Sequence, residues 1–389
     1  MRNRKLTGWR KVFFLAMLVL AACSQKLTSL PDTPTPSQIA SITEIATVTR
    51  TPFLPTIIAT FTPTNTATKE ATATATSTPF NLETFQSNLI QRTVKPQAYI
   101  LDQCQYLSDR WGKGKSTPGT IVVPVMYHSI RQAGKPVNDT LTVSHEYFEE
   151  TMQHARQLGF ETITSQQLVD FLYNNAEIPR LSMILIVDDR RLGVVRDHFM
   201  QVLDQNNWTV TLAYITGVAT EAEWQEMAQL NENGRLDVQA HGFYHNGNTY
   251  FTEFTPKDVV HQEIFAPIDV IKEHTGKRPV AFIWPGGNFT QEAVRTARSA
   301  DYKIGFTVFA RGPLMYNWIP LGDNEISMQD PLLVLPRYWS TSAYGNLDEA
   351  VEISNQARFF AQQNYQLENE WFQSYCDGNG SSLSFDKGE

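Results

Sequence analysis

The chain has 389 residues, of which 42% are hydrophobic and 11% aromatic, and its formal net charge at pH 7 is -8. This hydrophobic content is sufficient to bury a substantial core, and the length allows one large domain or two smaller ones after the N-terminal region. The negative net charge argues against nucleic acid as a partner. The composition therefore indicates a globular protein that does not bind nucleic acid.

The N-terminal segment has the pattern of an export signal. Five Lys and Arg residues among positions 1–11 precede an apolar run at positions 12–22. This run is shorter than the roughly 20 residues that span a membrane, and its length suits a secretory signal. It ends in "LAAC", which resembles the lipobox of bacterial lipoproteins and implies cleavage before Cys23 and lipid attachment to its thiol. An ordinary signal peptide or an uncleaved anchor are the alternatives. We favour a lipoprotein with a signal peptide at residues 1–23, exported and held at the membrane surface by its lipid.

A Thr- and Pro-rich stretch follows at residues 24–80, with runs such as "TFTPTNTATKEATATATSTP". Repeated Thr-Pro steps favour extended backbone and remove amide donors, so this stretch is predicted to be a semi-rigid linker. Such a linker would hold the globular part away from the membrane.

Beyond Cys23 the chain has two cysteines, Cys104 and Cys376, which flank the globular region. An exported chain enters a compartment where disulfides persist. We expect a bridge that joins the lead-in of residues 81–119 to the C-terminal helix and tail of residues 346–389. Two unpaired, buried thiols are the alternative.

Strands and helices alternate across the predicted main domain, residues 120–345. The predicted strands are "TIVVPVMYH", "FETIT", "SMILIV", "WTVTLAYIT", "LDVQA", "VAFIW", "YKIGFTV" and "LLVLPR". The predicted helices are "SHEYFEETMQHARQLG" with Ser144 as its cap, "SQQLVDFLYNN", residues 194–205, "EAEWQEMAQLNENG" ended by Gly234, residues 256–275, residues 291–300 and "NLDEAVEISNQARFFAQQ". This alternation is typical of an α/β fold with a parallel sheet and external helices, here a closed or nearly closed barrel.

The carboxyl ends of the strands are where such barrels place their chemistry. His128, the pair Asp188 and Asp189, His241 and the segment after Trp284 all follow predicted strands. We therefore expect these residues to lie at one end of the barrel.

Two motifs in this set are typical of a cation site. In "ILIVDDRRLG" two adjacent carboxylates must be solvated, bound to a cation or shifted in pKa. In "VQAHGFYHNGN" His241 and His245 are four residues apart and are able to offer two imidazoles to one cation. Two His and one carboxylate form a set that leaves positions open for water and substrate.

The ordered motifs "VDDR", "HGFYH" and "WPGG" resemble those of the polysaccharide deacetylases, which share the NodB homology domain and are classed with carbohydrate esterase family 4. The forms "VPVMYHSI" and "WPGG" are most similar to the subgroup that acts on poly-N-acetylglucosamine. The resemblance covers residues 121–339 and implies a distorted (β/α) barrel of the NodB type.

The resemblance also implies residue roles. Asp188 would be the general base, and Asp189, His241 and His245 would bind one divalent metal ion. Zinc is the first expectation for this ion, with nickel, cobalt and manganese as alternatives. Gly286 would offer its backbone N–H to the developing oxyanion.

Several positions depart from the family pattern. Arg190 and Arg191 follow the Asp pair, where the family often has Gly, and an Arg side chain here would narrow the site, bind an anionic polymer or point into solvent. Ile283 stands where the family often has an Arg that orients the base. No His follows His274, so the general acid must come from elsewhere, and His128 is the best candidate by position. A buried, structural His128 is the equal alternative.

Other aromatic and imidazole side chains are assigned more modest roles. Trp339 would either stack on sugar or belong to the core. Four histidines in predicted helices, without acidic partners at ligand spacing, are predicted to be surface or structural residues: His145, His154, His198 and His261.

The function implied is metal-dependent removal of acetyl groups from an N-acetylated glycan polymer at the cell surface, such as poly-N-acetylglucosamine, a chitin-like chain or the peptidoglycan glycan. One alternative is a glycan-binding surface lipoprotein that has lost catalysis. Another is an esterase for O-acetylated glycans, whose alkoxide leaving group needs less help from an acid.

Overall fold

The structure is a computed structural model that describes residues 81–247 and 250–376. The predicted signal peptide with Cys23 and the linker of residues 24–80 lie outside the described residues. Among the described helices, none is both long and apolar enough to cross a membrane.

Twelve strands and ten helices make up the described part of the chain. The strands are β1 Lys95–Gln97, β2 Ile121–Tyr127, β3 Ser129–Arg131, β4 Thr142–Ser144, β5 Glu161–Thr162, β6 Leu181–Val187, β7 Val210–Tyr214, β8 Leu236–Ala240, β9 Ala281–Ile283, β10 Ile304–Phe306, β11 Ile319–Leu321 and β12 Tyr338–Trp339. The helices are α1 Gln103–Trp111, α2 His145–Leu158, α3 Ser165–Asn174, α4 Leu192–Val194, α5 Met200–Asn206, α6 Glu221–Leu230, α7 Lys257–Thr275, α8 Gln291–Ser299, α9 Asp323–Ser327 and α10 Ala343–Tyr375.

A curled sheet with all its pairings parallel forms the centre of the molecule, in the order β10-β9-β8-β7-β6-β2-β12, with β5 added beside β6. Every residue of β2 and β6 is buried, as expected of continuous apolar strands covered on both faces. The predicted α/β fold, a distorted barrel of the NodB type, is confirmed.

The gap between the two edge strands is spanned by residues 335–339. Leu335 exchanges backbone hydrogen bonds with Gly305 (2.8 Å) and Thr307 (2.9 Å) beside β10, and the Arg337 amide donates to the Phe309 carbonyl at 3.1 Å. Directly afterwards β12 pairs with β2. This segment therefore connects both edges of the half-barrel and places Arg337 and Trp339 at its rim.

Three predicted elements differ from the structure. "LLVLPR" is not a strand, because Pro331–Leu333 forms a 3₁₀ turn and regular pairing starts only at β12. The helix expected over residues 194–205 is interrupted by a π-helical turn, Val195–Phe199. Helix α6 ends at Leu230, four residues before Gly234, because the Asn231 side chain accepts a hydrogen bond from the Leu236 amide (2.9 Å) and turns the chain into β8.

The lead-in and the C-terminal helix pack together on the barrel. Strand β1 pairs antiparallel with β11, and the Trp111 indole of α1 donates to the buried Glu368 carboxylate of α10 at 2.6 Å. Cys104 and Cys376 form a disulfide with a Cα–Cα distance of 5.4 Å. The bridge joins residues 272 positions apart and ties the start of α1 to the end of α10.

Replacing both cysteines by Ser is expected to lower the free energy of unfolding by about 2–4 kcal/mol, because the unfolded chain regains the freedom that a long closed loop removes. Denaturant unfolding of the oxidised wild type, the reduced wild type and the double variant would measure this. The reduced wild type should match the double variant; a double variant as stable as the oxidised wild type would contradict the expectation.

Candidate active site

Polar side chains from several strand ends converge at one rim of the barrel. His128 directly follows β2, Asp188 and Asp189 follow β6, and His241 follows β8. Gly286 lies in the 3₁₀ turn Pro285–Gly287 after β9. Parallel strands bring their carboxyl ends to one edge, so the topology explains why residues far apart in sequence meet here.

The backbone at Asp189 lets both carboxylates serve one site. Successive side chains of a strand point to opposite faces. Asp189, however, has a φ of 68°, a left-handed conformation that Asp adopts more readily than most residues. Asp188 Oδ2 lies 3.7 Å from His128 Nε2, while Asp189 Oδ1 lies 3.6 Å from His241 Nε2. The two neighbours thus contact different partners within the same rim.

Asp189, His241 and His245 are the residues that could hold a metal ion. One ligand atom from each lies within 4.8 Å of the others. The pKa of Asp189 is well below its ordinary value: burial alone would raise it, but the adjacent imidazoles of His241 and His128 and the guanidinium of Arg191 outweigh that effect. Burial, followed by repulsion from His241, lowers the pKa of His245.

The tautomers of the two histidines fit this role. His241 Nδ1 donates to the Ile283 carbonyl at 2.8 Å, and His245 Nδ1 donates to the Gly247 carbonyl at 3.3 Å. In the neutral rings both Nε2 atoms therefore present lone pairs, and these atoms are 3.2 Å apart beside a carboxylate. Two facing lone pairs repel each other, whereas a cation between them would be bound by all three groups. The donor set suits zinc.

The buried carboxylate of Asp188 is tethered by Arg337. The guanidinium Nη1 donates to Oδ1 at 2.7 Å, and Nε donates to the Thr307 carbonyl at 2.6 Å. Burial alone would raise the pKa of Asp188, but Arg337, then His241 and His128, hold it below its ordinary value. A group with this environment stays ionised at neutral pH and has one oxygen left to accept a proton.

Arg337 was missed by the sequence reasoning, which treated "LPR" as the end of a strand. A signal was present, because Ile283 stands where the resemblance leads one to expect an Arg beside the base. A buried carboxylate requires a cationic partner, so each late Arg next to a predicted strand end was a candidate.

The imidazole of His128 is partly buried and lies beside the carboxylate of Asp188. Desolvation lowers its pKa, and the charges of Asp188 and Asp189 only partly oppose this. Its ring is nearly parallel to that of Trp339, with an interplanar angle of 14° and a centroid distance of 6.4 Å. Trp339 is half-buried, so one part of the indole packs in the fold while another part borders the rim.

Gly286 has a φ of 59°, and a Cβ at this position would lie 2.5 Å from the Tyr250 ring. A side chain would therefore clash with Tyr250, in a backbone conformation that L residues rarely adopt. Gly286 lies three residues after Ile283, whose carbonyl accepts a hydrogen bond from His241. Gly286 is thus at the same rim as the histidine pair.

Arg190 is turned away from the rim. Its Nη2 donates to both carboxylate oxygens of Glu223 at the start of α6, at 2.5 and 2.6 Å. The neighbouring Arg191 faces the site instead, since it donates to Ser129 Oγ at 2.7 Å and lies 3.4 Å from Asp189 Oδ2. Of the two arginines that follow the Asp pair, Arg191 is therefore the one beside the site.

Two of the helix histidines have acidic partners, contrary to prediction. His145 Nε2 lies 3.2 Å from Glu149, and His154 Nε2 lies 2.9 Å from Asp348. His145 Nδ1 also lies 3.2 Å from His198 Nδ1. His145 thus contacts both Glu149 and His198.

Comparisons with known proteins give one matching family and several similar solved structures. Residues 177–305 match the family described as polysaccharide deacetylase. A search of curated proteins gives no significant match. The structure of the Streptococcus pyogenes deacetylase PplD in complex with acetate is 20% identical, covers 60% of this chain and 99% of that chain, and has a TM-score of 0.50.

Two further solved structures are similar at lower scores. IcaB from Ammonifex degensii is 18% identical over 61% of this chain and 97% of that chain, with a TM-score of 0.46. The BpsB deacetylase domain from Bordetella bronchiseptica is 16% identical over 57% and 96%, with a TM-score of 0.44. At such identities the likeness concerns the fold.

The family match contains five of the rim residues and excludes His128 and Arg337. Those inside are Asp188, Asp189, His241, His245 and Gly286. Residues 177–305 are thus similar to the polysaccharide deacetylase family, and the likeness to PplD concerns the fold.

Proposed function

We propose that this protein is a metal-dependent hydrolase that removes acetyl groups from an N-acetylated glycan polymer at the cell surface. The observation that carries the proposal is the pairing of two elements. Two Nε2 lone pairs face each other beside Asp189, and the separate, ionised carboxylate of Asp188 is tethered next to them. A cation site alone would suit many proteins, whereas a cation site beside a positioned base suits hydrolysis.

Asp189, His241 and His245 would hold one divalent ion, for which zinc is the first choice. When bound, such an ion polarises the acetamide carbonyl and lowers the pKa of water. Asp188 accepts the proton of the attacking water at Oδ2, because Arg337 occupies Oδ1. Arg337 thereby fixes both the orientation of the base and its ionised state.

His128 would deliver a proton to the departing amine from Nε2. This atom is 3.7 Å from the oxygen of Asp188 that accepts the water's proton, so the two groups are close enough for that proton to be passed on with a small movement. Burial lowers the pKa of His128, and an imidazolium with a low pKa is a stronger acid. An amine leaving group requires such a donor.

The remaining rim groups would bind the substrate. The Gly286 backbone N–H would stabilise the negative charge that develops on the carbonyl oxygen. The half-buried Trp339, parallel to His128, would form an apolar wall for the sugar or the acetyl methyl.

An Arg190 side chain that blocked the site would be an argument for the alternative in which the protein binds glycan without catalysis. Arg190 does not block the site, because it pairs with Glu223. A binding protein also has no use for a buried carboxylate held ionised by a buried guanidinium. Anchoring to the membrane through Cys23 and a linker at residues 24–80 remain part of the proposal and rest on the sequence alone.

The proposal predicts one divalent ion per chain, lost in His241→Ala. The purified protein would be loaded with Zn²⁺, desalted and measured by elemental analysis. His261→Ala is the matched control, because this histidine stacks on Phe265 within α7 rather than at the rim. Wild type and control should retain about one equivalent.

Acetate release provides the functional readout. The loaded wild type should release acetate from an N-acetylated oligosaccharide, and chelation should stop the reaction until Zn²⁺ is restored. Full metal occupancy in His241→Ala would refute the ligand assignment. A loaded wild type that releases no acetate from N- or O-acetylated glycans would leave the binding function instead.

A further inference from the structure

A buried carboxylate lies beneath the loop that joins the two metal-site histidines. Glu263 belongs to α7, a helix outside the rim, and only 2% of its surface is exposed. Its Oε2 accepts from the Phe243 amide at 2.8 Å and from the Tyr244 amide at 3.0 Å, and its Oε1 lies 3.1 Å from the Tyr244 amide. Among the described residues no cationic side chain pairs with it. A buried carboxylate is thus bound by backbone amides alone.

The loop sequence accommodates this carboxylate. A Cβ at Gly242 would lie 2.6 Å from Glu263 Oε2 and 3.2 Å from the backbone of His245. Gly242 also has a φ of 83°, which disfavours any other residue. Two successive amides therefore point at Glu263 because the glycine before them leaves room and turns the chain, an arrangement that binds anions well.

The geometry points to Glu263 as a positioning residue for the metal site, an inference that rests on the proposed metal-binding function. The amides of Phe243 and Tyr244 lie between His241 and His245, so anchoring them sets the relative position of the two rings. His245 has a φ of 62°, a conformation that the loop must maintain to keep its Nε2 3.2 Å from that of His241. Without Glu263, the Phe243 and Tyr244 amides would lose their acceptor, and the loop would rearrange to find another one.

Charge provides a second contribution. A carboxylate in the interior is weakly screened, so its field acts on a dication at the neighbouring histidines more strongly than a surface charge would. Glu263 is therefore expected to favour the bound ion both by holding the loop and by partly balancing the ion's charge.

Two substitutions separate these contributions. Glu263→Ala removes both the acceptor and the charge. Glu263→Gln removes the charge, while its amide oxygen, placed at the position of Oε2, still accepts from both Phe243 and Tyr244. Glu325→Gln is the control, because Glu325 is equally buried but binds Arg311, away from the rim.

The readout is the zinc dissociation constant from competition with a chelator, together with the visible absorption of the Co²⁺-loaded protein, which reports ligand geometry. Glu263→Ala should raise the dissociation constant by about 10- to 100-fold, the usual effect of an outer group on a metal site, and alter the Co²⁺ spectrum. Glu263→Gln should recover most of the affinity and the wild-type spectrum. Glu325→Gln should match wild type in both.

The outcomes distinguish this inference from the proposed function. If the wild type binds zinc and Glu263→Ala binds it equally well, the positioning role is wrong while the function stands. If Glu263→Ala does not fold, Glu263→Asp decides, because its shorter side chain keeps the charge but does not reach both amides from α7, and an unchanged dissociation constant in that variant overturns the inference. If the wild type binds no divalent ion, the proposed function fails, and the inference fails with it.

Discussion

Asp188→Asn is expected to lower acetate release by roughly 10²–10⁴-fold, the usual contribution of a positioned acid–base group. Asn keeps the size of the side chain, and its amide oxygen still accepts from Arg337 at the position of Oδ1. What it loses is the ability to accept the proton of the attacking water. The ion should remain bound, because Asp189 and both histidines are unchanged.

The measurement pairs steady-state acetate release with the metal content of the same sample. Loss of activity with about one equivalent of zinc retained would support the assignment of Asp188 as the base. Activity within a few-fold of wild type would contradict it. A simultaneous loss of zinc would show that Asp188, rather than Asp189 alone, helps to bind the ion.

Arg337→Met is expected to lower the free energy of unfolding at pH 7 by about 3–5 kcal/mol, because it leaves the buried carboxylate of Asp188 without its partner. Arg337 is 1% exposed, so water cannot replace it without local opening. Asp188→Asn/Arg337→Met should be more stable than Arg337→Met alone, since the double variant contains neither charge. Denaturant unfolding of the four proteins would give the coupling, and equal stability of the single and double variants would contradict it.

The same substitution should change the pH dependence of activity. Arg337 is the main charge that lowers the pKa of Asp188 in the folded state. A depressed carboxylate pKa contributes stability that is present above the unfolded value, about 3.9, and is lost as pH falls through the folded value. Without Arg337 the folded pKa rises, so the acidic limb of the rate profile should move to higher pH. A limb that does not move would show that another group sets it.

The sequence was sufficient to predict which residues lie together where chemistry and periodicity coincide. Asp188, Asp189, His241 and His245 follow strands with clear apolar patterns, so the barrel rule brings them together. Arg337 was not predicted, because nothing in its segment, which is predicted from the sequence to be a strand, indicates that its side chain reaches Asp188. Its position is set by backbone hydrogen bonds to β10 that depend on closure of the whole sheet.

Side-chain contacts explain the other differences between the sequence predictions and the structure. Nothing in a one-dimensional pattern indicates that Asn231 rather than Gly234 ends α6, because the decision depends on a side-chain contact with the first residue of β8. Arg190 and Arg191 are indistinguishable in the sequence, and only the position of Glu223 shows which of them faces the site. The end of such a helix and the direction of such a side chain depend on contacts between elements rather than on the propensities of single residues.

Closure of the half-barrel by residues 335–339 has a consequence for how activity emerges during synthesis. The proposed cation ligands, and the residues Glu263 and Ile283 that hold the two histidines, all precede residue 284, but the guanidinium that keeps the base charged follows only at position 337. Until that last stretch docks between β10 and β2, a carboxylate buried at the Asp188 position has no partner and favours its protonated form. A chain without this stretch would thus contain every proposed cation ligand and still lack an ionised base. Turnover would begin only when residues 335–339 have docked between β10 and β2 and closed the barrel.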